Sequence, residues 1–335
     1  MNNCIIHDIN TKGDFFMKSL RMFITVVFML LVSSNAFGIG VLLSDDEVKE
    51  HIEEMKSLDM SERLEWLAES DRMYMACGGV DGYYCKALKY IGKQYADADI
   101  AILPSNGSEQ VCNWVSQAYI HGGMSQLDVA KSYAEDGVDT LVEMFREYFW
   151  GLVPKESKIK KYSNLKKGSV WITGMNGSGT AYTWKLLKES NPKDKTLKSF
   201  GQVSEDASDG ITTVKSGEAQ IVFIPGAPSM GILRGEAKQQ GMMFISWNTK
   251  LPGKVKRGRK GNEIEVYKKQ SLKRDDYPSI SDLFWSKSID SWYVPAYVVV
   301  NEAFFDGHKT LKKSVKSSAL TASGDIKTEL GQKDE

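Results

Sequence analysis

The sequence predicts an α/β protein of two lobes, each a mostly parallel sheet flanked by helices. Three observations lead there. Short apolar runs suited to strands alternate with stretches of helical periodicity. That beat occurs twice, from residue 72 to beyond 109 and again from 168 to 224. Each strand runs into its helix through Gly, Ser, Thr or Asn. Strands and helices alternating in this way build parallel sheets with helices on their faces.

The chain opens with Lys18 and Arg21, then an apolar run from Met22 to Val32, then Ser33-Ser34-Asn35-Ala36-Phe37-Gly38. A basic region, a short apolar region and small residues are the parts of an export signal. The apolar run is too short for a bilayer, which needs roughly 20 residues. Residues 1–38 are therefore expected to be a signal peptide cleaved after Gly38, with Met17 a workable start; an anchoring helix is the other reading. The expected product is soluble and periplasmic. Cleavage removes three of the 43 basic and two of the 43 acidic side chains, leaving 40 against 41. A near-neutral protein has no net field favouring nucleic acid or an acidic membrane. The remaining length suits two ordinary domains.

Residues 44–69 place Val48, Ile52, Met55, Leu58, Leu64 and Leu67 three to four positions apart among charges. This spacing predicts a leading amphipathic helix within 39–70. The first lobe, 71–160, begins with the strand Arg72–Ala76, a Gly78-Gly79 turn and a helix from Tyr83 to Tyr95. A strand at Asp99–Leu103, the polar turn 104–108 and a helix from about Glu109 follow. The second lobe, 161–285, repeats the pattern: strand 168–173, turn 174–180, helix 181–190, helix 207–215, and a buried strand 220–224 ending at Pro225-Gly226. The joint is read near Pro154 to Asn164. The basic stretch 254–261 reads as a solvated loop. Residues 286–335 are read as a return to the first lobe and a polar C-terminal tail beyond about 305, of which the last dozen residues are loose.

Of four cysteines, Cys4 precedes the signal. Cys77, Cys85 and Cys112 remain, so one disulfide in any of three pairings, or free buried thiols, fits an exported chain. No CxxC pair supports a zinc site. HExxH and GxSxG are absent, and His121 sits in an Ile120-His121-Gly122-Gly123 context that does not suggest a Ser-His-Asp site. No enzyme and no cofactor are expected.

The chemistry is read into the turns. Helix N-termini leave backbone N–H groups unpaired and carry partial positive charge, so a carboxylate placed there accepts those bonds. Each contact contributes on the order of 1 kcal/mol; several together reach about −8 kcal/mol, a micromolar dissociation constant. The sharpest turn is Asn176-Gly177-Ser178-Gly179-Thr180. It is not a nucleotide phosphate loop, because Thr180 and Ala181 stand where Lys and Ser/Thr belong. A tight strand-to-helix turn that binds nothing is the alternative.

Taken in order, these turns resemble the TAXI family of solute receptors, the extracytoplasmic subunits of one branch of TRAP transporters. The phrases are Ala76-Cys77-Gly78-Gly79-Val80-Asp81-Gly82-Tyr83-Tyr84, Ser105-Asn106-Gly107-Ser108-Glu109, Gln126-Leu127-Asp128, Ser157-Lys158-Ile159 with Leu165-Lys166-Lys167-Gly168, the turn 177–180, Glu205-Asp206-Ala207, Lys215-Ser216-Gly217-Glu218-Ala219, and Gly226-Ala227-Pro228. They keep the family's order across residues 72–300. Departures are Cys77 and Cys85 beside the first turn, the added segment 44–69, Asn176 where Pro or Ala is commoner, and a C-terminus without the family's final helical phrase.

The resemblance implies a type II periplasmic-binding fold whose lobes close on a small, carboxylate-bearing ligand, a glutamate-like amino acid or organic acid, for TRAP permease subunits. Gly79, Tyr83 and Tyr84 would wall the cleft. Ser105, Asn106 and Ser108 would donate from the first lobe, and Gln126 and Asp128 would orient a polar or amino group. Asn176, Ser178 and Thr180 would act from the second lobe, and Pro225 and Gly226 would shape the far rim. Core packing for the tyrosines and a helix cap for Asp128 are equal alternatives. The protein is expected to be a monomer. An ABC-type importer receptor, or an exported two-lobe sensor that binds a partner and transports nothing, are the competing functions.

Overall fold

The structure, a computed structural model, describes residues 40–95, 97–166, 168–198, 201–247, 254–257 and 262–332. Residues 1–38, expected to be a signal peptide, lie outside these residues, as do 258–261 of the basic stretch. No helix among the described residues is long and apolar enough to cross a membrane.

The leading segment departs from a single helix. After the short strand β1 (Gly40–Leu42), helices α1 (Asp45–Ser57) and α2 (Met60–Glu69) are separate. The break has a local cause. Leu58 is extended, and the Asp59 carboxylate takes the N–H groups of Ser61 and Glu62 while Glu62 accepts from the Asp59 N–H. This capping box starts a new helix rather than continuing the old one. Ser44 and Glu47 make a second box at the start of α1.

The first half of the fold follows from period-2 strands. Strands β2 (Arg72–Ala76), β3 (Asp99–Leu103) and β4 (Gly122–Gln126) lie parallel with β1, in the order β1-β3-β2-β4. Met73, Met75, Ile100 and Ile102 face a core closed by α3 (Tyr83–Gln94) and the C-terminal helix α10 (Lys309–Glu329). Ala76, Ala101 and Leu103 face a second core with α1, α4 (Ser108–Ser116) and α5 (Leu127–Ser132).

The second half repeats this plan. Strands β6 (Val170–Ile172), β7 (Gly201–Val203) and β8 (Ile221–Gly226) are parallel, in the order β8-β6-β7. Trp171, Ile221 and Phe223 pack with Trp184, Leu186 and Leu187 of α6 (Gly179–Ser190). Ile172, Val222 and Ile224 pack on the other face with Ile211 and Val214 of α8 (Ala207–Ser216), which follows the short α7 (Lys195–Lys198).

Two long antiparallel strands join the halves. Strand β5 (Val138–Pro154) pairs with β13 (Ser288–Asn301) through its first part, then with β8 from Tyr148 and with β9 (Met242–Phe244) from Leu152. Strand β13 starts against β12 (Lys268–Lys273) and ends against β4. The passage between halves thus runs through β5 around Glu147 and Tyr148, ahead of the Pro154–Asn164 joint read in the sequence, and returns through β13. The result is a mixed α/β fold of two lobes sharing one continuous sheet.

Two further sequence expectations are corrected. Residues 309–329 are helical and bury Val315, Ala319, Ala322 and Ile326, joined to β13 through α9 (Glu302–Gly307), so 324–329, the first half of the stretch expected to be loose, are packed helix. The part of the basic stretch that is described, β10 (Lys254–Arg257), is a strand paired with β11 (Asn262–Glu265) rather than a loop.

Candidate functional site

The turns of the two lobes meet. Strands β2, β3 and β4 end at one seam, and β6 ends at the same seam from the other side. Here the 105–108 turn touches the 177–179 turn backbone to backbone. Gly107 has φ of +128°, and a Cβ on it would lie 3.1 Å from the Cα of Ser178. Gly179 is tighter still: a Cβ there would stand 2.3 Å from Gln126 Oε1 and 2.9 Å from Ser108 Oγ. Only glycine permits both approaches.

Behind these glycines lies a buried polar cluster drawn from both lobes. Gln126 donates through Nε2 to Glu147 Oε2 at 2.6 Å, and Tyr84 donates its hydroxyl to the same oxygen at 3.2 Å. The Gln126 backbone N–H donates to Ser108 Oγ at 3.2 Å. From the second lobe, the Thr183 hydroxyl lies 2.6 Å from Asp128 Oδ2 and 3.1 Å from Gln126 Oε1. Tyr267 donates to Asp128 Oδ2 at 2.7 Å. Asp128 also accepts from Val129 N–H through Oδ1, so it serves its own helix and the seam together. Burial pushes the Glu147 carboxyl up to about 7, with Asp128 adding to the rise against the Gln126 and Tyr84 bonds. Burial likewise holds the Tyr84 phenol well above its ordinary value.

Beside the cluster, a cavity of about 170 Å³ is lined by Asn106 from the first lobe and, from the second, by Ser178, Thr180, Asp206 and the β8 side chains Val222, Phe223 and Ile224 among others. This is below the roughly 300–1,000 Å³ of drug-sized pockets. Ser178 caps α6 by accepting from Ala181 N–H at 3.1 Å, and Asp206 caps α8 through Ser208 and Asp209 N–H. Two helix N-termini therefore face one small space.

The residues named from the sequence fall in different places. Ser108, Gln126, Asp128 and Tyr84 come together in the cluster, and Asn106, Ser178 and Thr180 line the cavity. Tyr83 crosses the seam on its own, its hydroxyl 2.9 Å from Ser229 Oγ. Ser105 is turned inward and donates to the Cys77 carbonyl. Gly79 and Asn176 are exposed and do not line the cavity. Pro225 and Gly226 form no rim; they pair in register with Phe149 and Tyr148 inside the sheet, because β8 continues through them. Cys77 and Cys85 are joined by a disulfide and Cys112 is a free buried thiol, so the staple sits at the foot of the turn that carries Tyr83 and Tyr84.

Sequence reasoning missed Glu147, Thr183 and Tyr267. For Glu147 a signal existed: a lone carboxylate within Phe145-Arg146-Glu147-Tyr148-Phe149-Trp150 is an acid embedded in a strand that must be buried. Among the described residues, no group of three or more His, Cys, Asp or Glu side chains is placed to hold a metal ion.

No family model matches the chain, and no curated protein sequence matches it. Solved structures similar to it include the amino acid ABC transporter substrate-binding protein AbpA from Streptococcus pneumoniae, at 12% identity and a TM-score of 0.49, covering 81% of this chain and 100% of that one. The arginine-, lysine-, histidine-binding protein ArtJ from Geobacillus stearothermophilus is 11% identical at a TM-score of 0.46, covering 77% and 93%. The periplasmic VFT2 domain of BvgS from Bordetella pertussis is 10% identical at 0.46, covering 81% and 96%.

Proposed function

We propose that the chain is an extracytoplasmic solute-binding receptor whose lobes close on a small ligand and present the closed form to a membrane transporter. One observation carries the reading. Turns from both lobes converge on a single seam that holds a small cavity, two helix N-termini and a buried polar cluster. A ligand touching both lobes favours closure by the difference in its contacts between the open and closed forms. Asn106, Ser178 and Thr180 are the proposed contacts at the cavity, with the α6 N-terminus offering its N–H groups to a carboxylate. The ordered phrases resembling the TAXI family make a TRAP permease the proposed partner; a neighbouring gene for a multi-span permease rather than an ATPase would separate this from an ABC importer. The sequence of residues 18–38 supports export.

A thermal-shift screen of the mature chain against amino acids, dicarboxylates and other small organic acids tests the proposal. A ligand present at a hundred times its dissociation constant adds about 2.7 kcal/mol of stability. Silence across the panel, from folded protein, contradicts receptor function. A second reading, a two-lobe sensor that binds a partner protein, is favoured by the direct backbone packing of Gly107 on Ser178 and by polar groups satisfied within the chain. It predicts that deletion leaves solute uptake unchanged.

A further inference from the structure

Glu147 is the buried acid that the receptor reading leaves without a task. It stands where β5 passes from one lobe to the other, with 8% of its surface exposed. Both donors it receives, Gln126 and Tyr84, converge on Oε2, and Oε1 accepts no bond from the described residues. No Lys or Arg among the described residues pairs with it, and Asp128 adds negative charge nearby. A buried carboxylate without a counter-charge is costly: it either keeps its proton or acquires a cation. The raised proton affinity of Glu147 is the first of these responses.

The seam also carries opposite polarity at its two ends. At one end the N-terminus of α6 carries partial positive charge. Gln126 spans the middle, its Oε1 crowding Gly179 and its Nε2 bonded to Glu147. At the other end stands the acid. A carboxylate is suited to the helix end and is repelled at the Glu147 end; an ammonium is suited to the Glu147 end. An ammonium replacing the Gln126 amide there converts a bond from a neutral donor into one in which both groups are ionised, which is roughly twice as strong.

Building on the receptor reading, we propose that the ligand carries a protonated amine that Glu147 accepts, so that the cleft selects amine-bearing molecules over dicarboxylates. Glu147 is on this account the residue that sets specificity, and the Gln126 amide holds its place when no amine is bound.

The test compares matched probes by isothermal titration at pH 8 with the mature chain: putrescine against succinate, and 4-aminobutyrate against butyrate, with the acid and amino acid panel alongside. The expected result is that the amine of a pair binds at least tenfold tighter than its amine-free partner. Glu147→Gln should remove that preference, and Glu147→Asp, which keeps the charge, should retain most of it. Melting curves of both variants establish that they are folded. Equal affinities within the pairs, a preference that survives Glu147→Gln in folded protein, or a best ligand without an amine each overturns the inference while leaving the receptor reading in place. Binding of nothing in the whole panel overturns both.

Discussion

Replacing Glu147 with Gln should change how stability depends on pH, and the sign follows from burial. The carboxyl is held up to about 7 in the folded chain against 4.5 for an ordinary Glu. As pH rises past about 4.5 the unfolded chain loses this proton first, while the folded chain keeps it until about 7. The favourable contribution of the protonated acid is therefore complete below 4.5 and is lost as pH rises through 7. The difference between the two values corresponds to about 3 kcal/mol. Glutamine has no proton to lose, so the variant escapes this loss. Relative to the parent, its melting temperature should rise between pH 5 and pH 8 by roughly 6 °C, taking about 2 °C per kcal/mol for a chain of this size. Other groups titrate in the same range, among them His51 and His121, both lowered by burial. Their contributions cancel when variant and parent are compared at each pH. Differential scanning calorimetry at the two pH values reads the result, and parallel pH profiles would refute the argument.

Other outcomes follow from particular contacts. Gly107→Ala puts a Cβ 3.1 Å from Ser178 Cα at a φ of +128°, so it should cost about 1–3 kcal/mol and enlarge the radius of gyration seen by small-angle scattering; an unchanged profile would show that the turns do not meet in solution. Asp59→Ala removes the cap that starts α2 and should cost about 1 kcal/mol by urea denaturation, whereas no loss would mean the helix break is held by packing alone. Replacing Cys77 and Cys85 together with Ser opens a short loop of sequence separation 8 and should cost about 2–3 kcal/mol. Mass spectrometry of the unreduced parent should find these two joined and Cys112 free.

Much of the fold was legible because its strands are short, apolar and bounded by glycine or polar turns. Arg72–Ala76, Asp99–Leu103 and Ile221–Gly226 have local signals, and so does α6 behind its Ser178 cap. The two strands that join the lobes were not legible in the same way. Residues 138–154 and 288–301 are longer than ordinary strands and pair with partners far away in sequence, so nothing local marks where each changes lobe. Leu58 continues the apolar spacing across the gap between α1 and α2, so spacing alone gives one helix, although Asp59 and Glu62 form a capping box that marks the break. The C-terminal helix was obscured by its Lys and Ser content, yet Val315, Ala319, Ala322 and Ile326 keep helical spacing. At the site, the turn residues were found because glycine and small polar side chains stand out. The cluster's remaining members come from a crossing strand, a helix interior and the segment before β12, and only the tertiary fold brings them to Gln126 and Asp128.

Receptor function requires that the seam open and close. Val80 and Met175 stand on the turns of opposite lobes, 45% and 52% exposed, and can carry probes introduced as cysteines while Cys112 is buried and Cys77 and Cys85 are joined. Distances between spin labels at these two positions should fall into a longer and a shorter population, with the shorter one gaining in the presence of any solute that stabilises the protein. A single distance that no stabilising solute shifts would show that the seam does not close.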